Sequence, residues 1–411
     1  MKIRLEHTNN PLNYGTNMMV ANFMYYLNKE TKINNEYIID VYDDLDLEMY
    51  KKQYSDLNVK RETIDYNFFY SKNIIGKIIN KIKREVLFGY FNKINLKKLE
   101  KSCDTLIILG GDDLSEYYGI EQLKRELFKI DYIKNKVNIF LVGQTIGPFK
   151  DERVQVVRSS LNGVNIYSRD PWTQEYLENN IGLKNIITSS DLALLPLPGQ
   201  GKGKLSIEVL QKYNVEENEY ITIVPSGLYE SYCNDREIYI KNIENIINYI
   251  LENTQYKIVL LPHVLRPQSI DDRNIIKSLE QIYGNNSRLE YIYDVMSPLE
   301  ARYLLGNGVI SISGRMHGAI NTLQMRKPAI SISYSVKYEG VIGRDLGLRE
   351  LIVNGDSSDL WINGNVSEET INKIKFILRS YDQIVEKIDK SVKKSEYNIL
   401  KMIREISKKI V

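Results

Sequence analysis

Short, nearly continuous apolar runs recur along the chain, each closed by Gly, Pro or a polar turn and followed by a stretch of helical periodicity. In the first half they are EYIIDVY (36–42), DTLIILGG (104–111), VNIFLVGQ (137–144) and VNIYSRD (164–170), and MKIRLE at the start reads as one more strand. In the second half they are EYITIVPSG (219–227), YKIVLLPHV (256–264), RLEYIYD (288–294), NGVISISG (307–314) and KPAISISY (327–334). Strands covered on both faces lose the in/out alternation, so such runs predict parallel sheets with helices on either side. Helix starts fall where that alternation requires them: Asp170 as N-cap before Pro171, and Ser297 with Glu300 as a capping box around Pro298. Between the two sets lies LPLPGQGKGKL (195–205), whose Gly and Pro content marks a linker. The chain therefore divides into an N-terminal α/β domain, 1–198, and a C-terminal one, 199–411. Residues 44–102 break the pattern with long Lys-rich helical stretches, notably 72–91, and are expected to form an insertion. The C-terminus repeats that style, with Ile399, Ile403, Ile406 and Ile410 at helical spacing. An apolar stripe packed on the protein beneath a basic face is the expectation there, and a helix lying on a membrane surface is the alternative.

Composition agrees with two globular domains. The chain has 411 residues, 43% of them apolar and 26% charged, which exceeds what one core usually organises. A net charge of +2 provides no global field for nucleic acid. Two cysteines, Cys103 and Cys233, far apart and with no C-x-x-C pair, suggest neither a disulfide framework nor a thiolate metal site. No apolar leader or membrane-length run occurs, so a cytoplasmic location is expected.

Ligands of open α/β sheets bind beyond the carboxyl ends of the strands, which directs attention to the strand-to-helix turns. Several carry chemistry: Gly110-Gly111-Asp112-Asp113, Gln144 in GQTIGP, Ser168-Arg169-Asp170, Pro262-His263, Gly314-Arg315-Met316-His317-Gly318, and Tyr334 to Lys337. Glycines let backbone N–H groups approach an anion, and a helix N-terminus adds about half a positive charge. Arg315 and His317 at the first turn of a helix would combine an anion fork with a group that exchanges protons near neutrality. Of only three histidines, His263 and His317 fall at strand ends, whereas His7 follows the first strand in weaker surroundings. Arg169 reads equally as a ligand contact or as a surface partner of Asp170. The nucleotide phosphate loop, the dinucleotide glycine fingerprint, H-E-x-x-H and G-x-S-x-G are absent, and two adjacent acids alone are weak metal ligands, so no metal site is expected.

Taken in order, the turns resemble those of the polysaccharide pyruvyl transferase family. The carrying segments are Asn13-Tyr14-Gly15-Thr16-Asn17, Gly110 to Leu114, Gly143 to Phe149, Ser168-Arg169-Asp170, Ser190-Asp191-Leu192-Ala193, Pro262-His263, Ser313 to Gly318, and Tyr334-Ser335-Val336-Lys337. The chain departs from the family where Asp112 and Asp113 replace glycines and where Thr16 replaces an acid. The resemblance implies two Rossmann-like domains facing across a cleft, similar to the GT-B glycosyltransferases. It also implies transfer of pyruvate from phosphoenolpyruvate to a sugar of a surface polysaccharide or its precursor, as a cyclic ketal, without a further cofactor. The N-terminal domain is then the acceptor side and the C-terminal domain the donor side. Arg315, Arg169, Gly314, Gly318, Gly110, Gly111, Gln144, Asn13, Gly15, Tyr334 and Lys337 are the expected substrate contacts. His317 is the expected proton donor to the methylene carbon, and His263, Asp112 or Asp113 the group that relieves the attacking hydroxyl of its proton. Expected partners are phosphoenolpyruvate and a sugar or glycan acceptor, in a lipid-linked form where the pathway carries one, with peripheral membrane contact through the basic stretches.

Two other readings use the same turns. A GT-B-type glycosyltransferase would place a nucleotide diphosphate on them, and is told apart by its donor. An inactive carbohydrate-binding or assembly subunit would not need Arg315 and His317 intact.

Overall fold

A computed structural model of the chain describes residues 1–53, 57–62, 94–117, 119–201 and 203–411. The Lys-rich stretch 72–91 therefore lies outside the described residues, as does most of the expected insertion; its described ends hold the Asp44–Gln53 helix and strand β3.

Two all-parallel sheets form. The first runs β3-β2-β1-β4-β5-β6-β7, with β1 Lys2–Glu6, β2 Glu36–Ile39, β3 Asn58–Arg61, β4 Thr105–Gly111, β5 Asn138–Gln144, β6 Asn165–Ser168 and β7 Ile187–Thr188. The second runs β10-β9-β8-β11-β12-β13, with β8 Tyr220–Val224, β9 Lys257–Leu260, β10 Leu289–Tyr291, β11 Ile310–Ser313, β12 Ala329–Ser333 and β13 Ile352–Asn354. Every apolar run named above becomes a strand. The strands without such a run, β3, β7 and β13, all lie at sheet edges. There one side of the ladder is unpaired and burial is partial, so a short polar sequence such as Asn58–Arg61 is tolerated. In each sheet the chain order reverses beside the first strand of the unit, β1 or β8, which opens a crevice at the carboxyl ends.

The predicted caps are in place. Asp170 accepts the Thr173 N–H at 2.8 Å, and Ser297 and Glu300 exchange both bonds of the capping box. The two units are stitched on one side of the cleft. Asn13 pairs with Val264 in an isolated bridge, Tyr14 N–H donates to the His263 carbonyl, and the Met296 N–H donates to Tyr14 Oη. Arg266 grips Asp46 with two bonds, at 3.1 and 2.8 Å.

The last helix, Tyr381–Ile410, crosses back from the second unit to the first. Ile399, Met402, Ile403 and Ile406 are buried, Asn138 donates to the Lys409 carbonyl, and Lys409 donates to Asn165. Ile399, Ile403 and Ile406 of the C-terminal stripe are thus spent on the protein's own core. Among the described residues no helix is long and apolar enough to cross one.

Candidate functional site

The carboxyl ends of both sheets open onto one cavity of about 820 Å³. Of the site residues expected from sequence, Asn13, Gly111, Asp112, Arg169, His263, Arg315, His317, Tyr334 and Lys337 line it. Gly15, Gly110, Gln144, Gly314 and Gly318 do not; they stand behind the wall. Gly318 packs the helix against its strand, since a Cβ there would lie 2.4 Å from Ser313 Oγ. Gly314 hands its N–H to the Val224 carbonyl rather than to a ligand. Gln144, buried, donates to the Leu109 carbonyl at 3.5 Å.

His317 sits in the first turn of the Met316–Gln324 helix, directly after β11. Its Nε2 is 3.4 Å from Oδ2 of Asp191, and the same oxygen accepts from Arg169 Nη1 at 3.1 Å. Asp191 and Arg169 are both fully buried. Burial alone would raise the Asp191 pKa, but His317, with Arg169 adding to it, holds the carboxyl well below the usual carboxylate range. Arg169 is therefore not a surface partner of Asp170; it is a buried cation at the cavity wall, with Nε also bonded to Thr145 Oγ1 at 2.9 Å. Asp191 belongs to the Ser-Asp-Leu-Ala segment that carried the family likeness, which was the only signal of its place here. Gly15 explains the ring's position from the other side. A Cβ on Gly15 would come within 2.4 to 2.6 Å of His317 Cγ, Nδ1 and Cβ, so only glycine allows the imidazole to lie against that helix.

Arg315 is held by Asp272, which accepts from Nε at 3.0 Å and from Nη2 at 2.8 Å, while the Ile270 carbonyl accepts from Nη2 as well. Asp272 outweighs the cost of burial and keeps the guanidinium charged. Nη1 is the nitrogen left for a ligand, so Arg315 offers one donor edge rather than a free fork. Asp272 also accepts the backbone N–H groups of Gly227, His263 and Val264 at 2.8 to 2.9 Å. One fully buried carboxylate thus sets three strand-end turns, and no motif in the sequence advertises it.

Asp112 and Lys337 face each other from opposite units, 3.1 Å apart, and Lys337 also donates to Tyr334 Oη at 2.6 Å. On the N-terminal wall, His7 has a left-handed backbone (φ 63°), uncommon for a residue with a side chain. Its Nδ1 is 3.4 Å from Asp113 and its Nε2 3.8 Å from Glu126. Burial opposes a charge on His7, yet Asp113 and Glu126 outweigh it and push its pKa up to about 9. Burial pushes the Asp113 carboxyl up, against the pull of His7. His7, assigned no site role from sequence, is part of the cavity lining.

His263 is 1% exposed, and its Nε2 lies 3.0 Å from the amide nitrogen of Asn321. Burial, with His317, Arg315 and Arg302 adding to it, pushes its pKa well below the usual histidine value, so the ring is neutral.

Comparison with known proteins follows this geometry. The profile of the polysaccharide pyruvyl transferase family matches residues 13–336, which take in the site residues just described except His7 and Lys337. The amylovoran biosynthesis protein AmsJ of Erwinia amylovora is 24% identical over 318 residues, 75% of this chain and 74% of that protein. Among solved structures, a UDP-GlcNAc 2-epimerase from Neisseria meningitidis superposes with a TM-score of 0.61 at 13% identity, covering 98% of this chain and 99% of its own. The spinosyn rhamnosyltransferase SpnG gives 0.53 at 11% identity, covering 99% and 100%. At such identities these structures establish only the shared GT-B-like arrangement of two parallel-sheet units about a cleft. The sequence match is what carries the chemistry: this chain belongs to the polysaccharide pyruvyl transferase family and is a pyruvyl transferase.

Proposed function

We propose that the enzyme takes pyruvate from phosphoenolpyruvate and places it as a cyclic ketal on a sugar of a surface polysaccharide or its precursor, with His317 as the proton donor. The observation that carries this reading is the buried Asp191 carboxylate shared by His317 and Arg169 at the cavity wall. Phosphoenolpyruvate brings a phosphate and a carboxylate on one small enol. Arg315, Arg169 and Lys337 supply cations for them, and the start of the Met316–Gln324 helix adds its dipole.

In the reaction, protonated His317 donates to the methylene carbon while Asp191 complements the charged ring. Positive character develops at C2, and a sugar hydroxyl attacks it. A second hydroxyl then displaces the phosphate and closes the ketal. Of the two hydroxyl protons, the first is taken up by the enzyme's base and given up to the leaving phosphate, and the second restores His317, so the enzyme returns unchanged. Asp113 is the base for the attacking hydroxyl: Asp112, in the same turn, is committed to Lys337. The N-terminal wall, with His7, Asp113 and Glu126, then receives the acceptor, and the C-terminal turns hold the donor. A cytoplasmic enzyme, meeting an acceptor carried at the inner membrane face, fits this chemistry.

The test is a thermal-shift titration with phosphoenolpyruvate beside a panel of nucleotide sugars, since a ligand of the native state alone raises apparent stability. Stabilisation by phosphoenolpyruvate, reduced in Arg169→Ala, supports the reading; stabilisation by a nucleotide sugar alone removes it in favour of glycosyl transfer. His317→Gln should keep donor binding and lose turnover.

A further inference from the structure

The buried amide of Asn321 decides which ring nitrogen of His263 carries the proton. Asn321 Oδ1 accepts from Arg302 Nε at 2.7 Å, and Arg302 has only protons to give. Asn321 Nδ2 donates to the His317 carbonyl at 2.7 Å, which has only lone pairs to offer. The two bonds fix the amide in one orientation, so its second N–H meets His263 Nε2 at 3.0 Å. Nε2 must therefore accept, and in a neutral ring the proton then sits on Nδ1.

That Nδ1 is buried and has no hydrogen-bond partner among the described residues, although His263 lines the cavity. An unpaired buried donor is costly and calls for an explanation. Burial keeps the ring neutral, reinforced by His317 and Arg315 from the turn after β11 and by Arg302 from the Pro298–Asn307 helix, while Tyr14 packs edge-on against it from the Tyr14–Thr31 helix with ring centroids 5.6 Å apart. The ring is buried and its Nε2 is held by Asn321, so it has little freedom to turn away.

We propose that His263 acts as a fixed hydrogen-bond donor and not as a base: its Nδ1–H holds an anionic oxygen of the donor substrate, with Arg302 and Asn321 as the positioning residues that set the tautomer. The inference rests on the phosphoenolpyruvate reading for its ligand and deepens it. It also withdraws His263 from the role of accepting the acceptor's proton, because Nδ1, the ring nitrogen that Asn321 leaves unengaged, already carries one. The relay reaches further, since Arg302 also donates to the Leu195 carbonyl and to Gln200 in the linker. The same cation thus orients the ring and anchors the connection between the units.

With only three histidines in the chain, 15N-histidine labelling of the full-length protein gives a spectrum simple enough to assign with His7→Asn, His263→Asn and His317→Gln. The expected result is a neutral His263 ring protonated at Nδ1 from mildly acidic to mildly alkaline pH, with the Nδ1 resonance moving on addition of phosphoenolpyruvate. An Nε2-protonated ring, an imidazolium at neutral pH, or an Nδ1 resonance unmoved under saturating phosphoenolpyruvate would overturn the proposal. In binding, His263→Ala should weaken phosphoenolpyruvate by roughly 10- to 100-fold, the worth of a hydrogen bond to a charged oxygen. His263→Asn, whose amide nitrogen stands in for Nδ1, should restore most of that loss; a purely structural role would predict no such rescue. If wild-type protein shows no thermal shift with phosphoenolpyruvate, the donor assignment fails together with this inference. A normal wild-type shift with an unmoved Nδ1 isolates the failure to His263.

Discussion

Replacing Gly15 by alanine should disable the enzyme while leaving it folded. Gly15 occupies the second position of the Tyr14–Thr31 helix and does not require a left-handed backbone, so alanine suits the helix better by roughly 0.5–1 kcal/mol. Against that gain, the new Cβ would stand 2.4 Å from His317 Cγ and 2.5 Å from Nδ1. Carbon atoms rest at about 3.5–4.0 Å, so the ring must retreat by about 1 Å, and overpacking of this kind costs about 1–3 kcal/mol. The two terms nearly offset, and the melting temperature should fall by no more than a few degrees. Catalysis is less forgiving, because a displacement of about 1 Å in a reacting group costs on the order of 100-fold. The assay is phosphate release from phosphoenolpyruvate with a saccharide acceptor, run beside donor binding by thermal shift. A kcat about 100-fold lower, with donor affinity nearly kept, is expected, because Arg169, Arg315 and Lys337 do not touch the new methyl. Gly203→Ala, at a helix start with nothing within 4 Å of the added Cβ, serves as the control. A Gly15→Ala enzyme with near-normal kcat, or one whose activity falls only as its folded fraction falls, would refute the reasoning.

Asp191→Asn leaves Arg169 buried without its carboxylate and His317 without its counter-charge; breaking a buried pair in this way costs about 3–5 kcal/mol. Denaturant melts should show that loss, and kcat should fall more steeply than donor affinity. In the acidic turn, Asp113→Asn should reduce kcat on the order of 100-fold as a lost general base, whereas Asp112→Asn removes the carboxylate that faces Lys337 and should tighten phosphoenolpyruvate binding; the reverse pattern in steady-state kinetics would exchange the two roles. Asp345 supplies a pH test. Burial, only partly opposed by Ser190, Lys394 and Ser395, raises its pKa to about 7. The folded chain then holds a proton that the unfolded chain has released above its pKa of about 3.9, so stability falls as pH rises from about 4 to 7. Asp345→Asn should stabilise the protein above pH ~7 by up to roughly 4 kcal/mol and do nothing near pH ~4, and equal effects in melts at both ends would count against that account.

Much of this enzyme is written in local pattern. A strand covered on both faces must be apolar throughout, so the central strands of both sheets announce themselves, and with them the turns at their carboxyl ends. Arg169, His263, Arg315, His317 and Lys337 were found from the sequence for that reason, as residue types carrying chemistry where an α/β crevice must open. The order of those turns also named the family. What only the tertiary structure decided is how they pair, because the partners are far apart in sequence: Asp112 and Lys337 are separated by 225 residues, Arg315 and Asp272 by 43. Asp272 carries no signal in the sequence and Asp191 none beyond its place in the Ser-Asp-Leu-Ala segment, yet burial turns them into the anchors of Arg315, Arg169 and His317. The glycines were read as ligand contacts, and for Gly15 and Gly318 packing is what excludes a Cβ. The edge strands β3, β7 and β13 and the return of the last helix to the first unit escaped the sequence, since a half-buried edge needs no apolar run and an apolar stripe does not name the surface it will cover. The protonation of His263 lies furthest from the sequence, because it depends on one amide being held from both ends by groups that share no motif.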